Sequence, residues 1–188
     1  MSTPGVVIVS APSGAGKTSL TQALVSSRND IGITVSHTTR AQRPGEIDGI
    51  HYHFVDLSTF EQMINDHQFV EYASVFGNYY GTSIKAINNQ LEQGKHAILE
   101  IDWQGARKVR KKFPGALSVF VMPPSLAVLE QRLRDRGQDS EQVIARRMQE
   151  AQNEISHKGE YDCVVVNLEF DAALADLGAA LMSLDKTG

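Results

Sequence analysis

Four apolar runs punctuate a chain of otherwise mixed polarity: Val6 to Val9, Ala97 to Ile101, Leu117 to Met122, and Cys163 to Val166. They are short and rich in β-branched residues, the pattern of strands buried in a parallel sheet. Between them, apolar residues recur at helical spacing. Leu20, Ala23 and Leu24 follow the first run, and Phe60, Met63 and Ile64 follow a cap near Asp56 or Ser58. Pro123-Pro124 stops the third run, and Ser125 then caps a helix carrying Leu126, Leu129 and Leu133 that Gly137 ends. Asp139-Ser140-Glu141 begins another helix, and a terminal one is predicted from Ala172. Strands alternating with helices predict an α/β fold, a mostly parallel sheet between two helical layers. Two stretches, 33–87 and 126–154, are too polar and irregular for simple crossovers. They read as excursions from a core of about 1–32, 88–125 and 155–188, all one domain of residues 1–188.

Composition narrows the class. At 188 residues with net charge −4, the chain suggests neither a general nucleic-acid surface nor a membrane surface. The single cysteine, Cys163, excludes an internal disulfide framework and a cysteine zinc site, and reads as a strand-core residue. The six histidines form no recognisable metal set, and His51 and His53 alternate on a strand with surface positions. No basic leader or membrane-length apolar run is present, so a cytoplasmic enzyme is the expectation.

The chemistry begins where the first strand ends. Ser10-Ala11-Pro12-Ser13-Gly14-Ala15-Gly16-Lys17-Thr18 joins that strand to the first helix, the context of a P-loop. Gly14 and Gly16 let the backbone turn its N–H groups toward one point, where the helix N-terminus adds positive potential. Residues 11–18 are therefore expected to hold the phosphates of a nucleoside triphosphate, Lys17 to reach the β/γ-phosphates, and Thr18 to ligate Mg²⁺. Alanine at position 11 replaces the first glycine of the usual pattern.

The first excursion is dense in phosphate-binding residue types. Arg40 and Arg43, with Pro44-Gly45 turning the chain behind them, can clamp a phosphate from two sides. Thr38-Thr39-Arg40, Arg43, Glu46, Gly49, Tyr52 and Phe54-Val55 stand in register with the signature of the guanylate kinases, and the chain resembles that family from Ile8 to Asn167. The resemblance implies ATP-dependent phosphorylation of GMP with Mg²⁺. It implies that Arg40, Arg43 and Tyr52 hold the GMP phosphate, with Ser36 near the guanine. Guanine offers a paired donor edge that a carboxylate matches, and Glu71 of Phe69-Val70-Glu71 is the candidate. In Gly77-Asn78-Tyr79-Tyr80-Gly81-Thr82, Tyr80 is expected at the phosphate and Thr82 at the guanine O6.

Glu100 and Asp102 end the second core strand on one face, at the end that lines the ligand crevice of such sheets. By the family pattern Asp102 contacts guanine, while Glu100 stands open between nucleotide and metal. Asp102-Trp103-Gln104-Gly105 also fits a GTPase loop, but no Asn-Lys-x-Asp guanine motif accompanies it. The second excursion presents several arginines, as a lid over ATP would. The family's lid pattern selects Arg136 and Arg147 for the transferring phosphoryl, while Arg132, Arg134 and Arg146 read as surface residues paired with Glu130, Asp135 and Glu150. Asn167 is placed at adenine by the resemblance alone. Catalysis then falls to Lys17, Arg43, Arg136 and Arg147. A kinase with another acceptor and a non-catalytic interaction module remain as alternatives, and oligomerisation stays open.

Overall fold

The computed structural model describes residues 3–75, 77–135, 137 and 140–184. In chain order the first half runs β1 (Val6–Ser10), α1 (Lys17–Ser27), β2 (Ile31–Ile33), β3 (His37–Thr38), β4 (His53–Phe54), α2 (Leu57–Asn65), β5 (Phe69–Val75) and β6 (Asn78–Ser83). It continues with α3 (Ile84–Glu92), β7 (His96–Glu100), α4 (Trp103–Lys112), β8 (Leu117–Met122), α5 (Leu126–Asp135), α6 (Glu141–Ser156), β9 (Cys163–Val166) and α7 (Phe170–Leu181).

Five parallel strands in the order β2-β7-β1-β8-β9 form the central sheet. Alternate residues of β1 point to opposite faces, and both faces are covered. Val7 and Val9 join Ile98, Val119, Val121 and Val165 against Leu20 and Leu24 of α1 and Leu177 and Leu181 of α7. Val6 and Ile8 join Leu99 and Phe120 against Ile87 of α3 and Val109 of α4. Coverage on both faces is why the sequence shows continuous apolar runs here instead of alternation. The three-layer expectation matches this architecture.

Four boundaries and one burial differ from the sequence reading, the first being β1, which runs on to Ser10. β7 starts at His96 and stops at Glu100, because buried His96 joins the sheet by accepting the Gly5 N–H on Nδ1 at 3.0 Å. α7 starts at Phe170, two residues before Ala172. β9 is an edge strand: Val165 is buried, but Val164 and Val166 are 45% and 47% exposed and Cys163 is only half-buried. The stretch 33–87 holds a second, mixed sheet in the order β4-β3-β6-β5. Two of its strands, β3 and β4, have only two residues each, and polar residues interrupt the longer β5 and β6, so no continuous apolar run announced them. The sheet is anchored on Phe60 of α2, which stacks on Phe69 at 4.5 Å and Tyr79 at 5.4 Å between ring centroids. α5 and α6 form a helical arm whose buried residues include Leu129, Leu133, Ile144 and Ala151. Among the described residues no helix is long and apolar enough to cross a membrane.

The two-sided burial of the central strands predicts a graded response. Leu99→Ala should destabilise the protein by about 2–5 kcal/mol, because the cavity cannot close between two helical layers. Val164→Ala at the edge should cost less than about 1 kcal/mol. Denaturant unfolding of both variants checks this, and equal losses would contradict it.

Candidate active site

The site is built at the carboxyl end of the central sheet, where β1 gives way to a glycine-bearing turn. Gly14 and Gly16 have φ of +91° and +95°, a region that L side chains rarely adopt. Space forbids a side chain as well. A Cβ on Gly16 would lie 2.3 Å from the Asn167 amide nitrogen, and one on Gly14 would lie 3.1 and 3.2 Å from Leu133 and Leu129. Ala11 needs no such freedom: among the described residues the only non-glycine at positive φ is His67. That is why alanine is tolerated there. Lys17 and Thr18 open α1, with Gly16 as its N-cap. No acidic residue occupies the first turn to cancel the positive potential of that helix end.

Above the loop lies a cavity of about 660 Å³, lined by residues 11–14 and 16–19, Arg43, Tyr52, Tyr80, Arg132, Arg147, Glu150 and Glu154. A second cavity of about 180 Å³ adjoins it, lined by Ser36, Glu71, Glu100 and Asp102. Lys17, Tyr52, Val75 and Tyr80 line both. Arg147 reaches the loop directly, with Nη1 donating to Ser13 Oγ at 3.3 Å.

Not every expected residue faces these cavities in the expected way. Arg40 donates to Glu46 Oε1 at 2.7 Å and to the Ala41 carbonyl at 2.7 Å, and lies over the Tyr52 and Phe54 rings. The Thr82 hydroxyl is 3.2 Å from that of Ser36. Asp102 Oδ1 caps α4 through the Gly105 N–H at 2.7 Å. Asn167, expected at adenine, has a buried side-chain nitrogen that donates to the Ala15 carbonyl at 2.8 Å and braces the loop. Arg132 is a correction to the surface expectation. It is no surface ion-pair residue, because Nη2 donates to the Asn167 carbonyl at 3.2 Å and the side chain lines the loop cavity. Arg134 and Arg146 do pair as expected, with Glu130 and Glu150. Arg136 lies outside the described residues.

Two carboxylates stand out electrostatically. Glu71 is 6% exposed, and burial pushes its pKa up to about 7 against the opposing Thr82 N–H, which donates to Oε1 at 2.9 Å. Asp102 adds repulsion and Lys108 offsets part of it. Glu154 on α6 is also raised to about 7 by burial, against the attraction of Lys17. Among the described residues no group of three or more His, Cys, Asp or Glu is assembled for a metal. The Thr18 hydroxyl does donate to Glu100 Oε2 at 3.1 Å, a pair of hard oxygens beside the phosphate-facing helix end. Such a pair suits a cation that keeps most of its ligands as water and phosphate.

Comparison with known proteins agrees with this geometry. The family model described as guanylate kinase matches residues 3–184. The chain belongs to the guanylate kinase family. A guanylate kinase of Pseudoalteromonas translucida (strain TAC 125) is 54% identical over 176 residues, 94% of this chain and 85% of that one. The crystal structure of guanylate kinase from Anaplasma phagocytophilum superposes with a TM-score of 0.79 at 32% identity, covering 98% of this chain and 88% of that one. A gluconokinase from Sinorhizobium meliloti 1021 shares the fold alone, with a TM-score of 0.54 at 17% identity and coverage of 99% and 96%.

For a member of this family, the sequence reading passed over Arg132 and the carboxylates of α6. A signal was present in each case. In the sequence pattern Arg132 and Arg136 stand i, i+4, and Arg147, Ala151 and Glu154 recur at helical spacing on one face of α6. Their charge made them look solvated.

The raised carboxylates predict the pH dependence of stability. Glu71 has an ordinary pKa of 4.5 when unfolded and about 7 when folded. Between those values the folded chain binds more protons, so stability falls as pH rises and is fully lowered above the folded value. Glu154 acts in the same direction. Thermal melts from pH 5 to 8 without nucleotide should show this decline, and Glu71→Gln should flatten it. An unchanged slope would refute the assignment.

Proposed function

We propose that the chain transfers the γ-phosphoryl group of ATP to GMP, giving ADP and GDP. One observation carries the reading: a buried carboxylate and a phosphate-type loop line adjoining cavities that share Lys17, Tyr52, Val75 and Tyr80. In this reading residues 11–18 hold the ATP phosphates, and Asn167 supports them through the loop. Ser36, Glu71, Thr82 and Asp102 receive guanine, while Arg40, Arg43, Tyr52 and Tyr80 receive its phosphate. Residues 33–87 form the GMP-binding excursion, and 126–154 the lid.

The mechanism needs no general base, because the acceptor phosphate has its second ionisation near pH ~6 and is already a nucleophile. A GMP phosphate oxygen bonds to the γ-phosphorus as the bond to the β–γ bridging oxygen breaks, and the electron pair leaves with ADP. The difficulty is repulsion between two polyanions. Lys17, Arg43 and Arg147, joined by Arg136 on the family pattern, offset it and align the groups in line. Thr18 would hold Mg²⁺ with Glu100 beside it, and the cation when bound neutralises charge on the phosphates. The substrates point to a cytoplasmic enzyme of purine nucleotide recycling, acting on small molecules and not on nucleic acid, with oligomeric assembly open.

A coupled assay of ADP release with GMP, AMP, UMP and dTMP side by side tests the acceptor. GMP alone should support rapid turnover, and comparable turnover on AMP would overturn the reading. Glu71→Gln should lower kcat/KM for GMP about 100-fold, the worth of one charged hydrogen bond in a buried site.

Arg147→Ala tests the cation cluster separately. It should depress kcat by about 10³-fold or more, as removal of such arginines does elsewhere, with little change in GMP affinity. Near-normal turnover would remove Arg147 from the mechanism.

A further inference from the structure

Thr21 lies one helical turn beyond Thr18 on α1, is fully buried, and has no part in the reading above. Its hydroxyl stands 3.1 Å from the Lys17 carbonyl and 3.1 Å from the Thr18 carbonyl, and donates to Glu100 Oε1. The other Glu100 oxygen, Oε2, accepts from Thr18 Oγ at 3.1 Å. A hydroxyl has one proton, and of its acceptors the charged one holds it most strongly. Two threonines on one face of α1 therefore grip both oxygens of a single carboxylate at the end of β7.

We propose that Thr21 is a positioning residue for Glu100, holding Oε2 against the Thr18 hydroxyl and so strengthening the grip on the nucleotide-bound divalent cation. The inference rests on Thr18 being the metal-side ligand. A hydroxyl that gives a lone pair to a divalent cation becomes a stronger donor, and its proton needs a fixed acceptor. Gripped at one oxygen only, the Glu100 side chain can rotate away. Gripped at both, it cannot. If Thr21 served only the helix, its proton would go to the Lys17 or Thr18 carbonyl that it also approaches, and its loss would change stability without changing metal affinity.

The probe is Mn²⁺, titrated into the full chain with saturating ADP and followed by the electron paramagnetic resonance signal of the free ion. Thr21→Val preserves shape and removes the hydroxyl. It should weaken Mn²⁺ binding about tenfold, within the range for loss of a residue behind a metal ligand. Thr21→Ser should bind within about twofold of the unaltered chain, since the hydroxyl remains. GMP affinity should not change in either variant. Unaltered Mn²⁺ affinity in Thr21→Val overturns the proposal, and so does equal weakening in Thr21→Ser, which would assign the effect to packing. Should the valine variant fail to fold, Thr21→Ala supplies the same comparison. Thr18→Val separates the underlying reading: if it keeps full Mn²⁺ affinity, Thr18 is not the ligand, whatever Thr21 does.

Discussion

The central strand β1 is the constraint on which the rest depends. It has a parallel neighbour on each side and a helical layer on each face, so Val6 to Val9 are all buried. A strand held in this way fixes the place and direction in which the chain leaves it. That exit becomes the glycine-bearing turn, and the neighbouring strands deliver their own ends to the same edge. β7 brings Glu100 and Asp102, and β9 brings Asn167, whose amide rests on the turn. Hydrophobic burial thus positions polar groups that contribute little to folding themselves. The edge strand shows the contrast, since Val164 and Val166 are half exposed and yet lead to a buried asparagine.

Charge is arranged around that turn with both signs present. Lys17, Arg43, Arg132 and Arg147 line the larger cavity, but Glu150 and Glu154 line it too. An ionised acid in such a cavity would oppose a polyanion, and for one of the two burial weakens that opposition. Burial raises Glu154 to about 7, so near neutral pH it carries only part of its charge. Glu71 has the same raised value for a different use. A desolvated carboxylate with one oxygen on the Thr82 N–H is poised to gain from any ligand that brings two more donors. An acceptor base lacking those donors would leave the carboxylate buried and unsatisfied. Selectivity of this kind comes mainly from the penalty for the wrong partner.

The core was legible because its signal is hydrophobic and local. Leu117–Met122 matches its predicted limits because burial writes directly into residue type, and Cys163–Val166 matches them through its β-branched run although only Val165 is buried. The second sheet was not legible as strands. β3 and β4 are two residues each, and they are strands only through pairing, β3 with β4 on one side and with β6 on the other. Many of the candidate site residues line the two adjoining cavities, but their partners were not legible. Spacing pointed to Arg40 but could not foresee that Glu46 would occupy its guanidinium. The family resemblance pointed to Asn167 but not to the Ala15 carbonyl. Arg132 was read as solvated because its charge said surface, whereas its contact is made by a strand 35 residues away. Long-range contacts of that kind have no counterpart in local pattern.

One consequence concerns how the helical arm communicates with the turn. Arg132 on α5 bonds the Asn167 carbonyl, and the Asn167 amide bonds Ala15. Arg147 on α6 bonds Ser13 from the opposite direction. The turn is therefore touched through side chains from both helices of the arm, and its two glycines leave no Cβ to keep them away. A displacement of the arm cannot leave the phosphate-facing backbone unaffected, since the same residues that would meet a phosphate also hold the loop. Gly16 is thus placed by two requirements at once. Its backbone must turn through positive φ, and its missing side chain must admit Asn167. Alanine satisfies neither, although one position class earlier in the same turn, at Ala11, it meets no such demand.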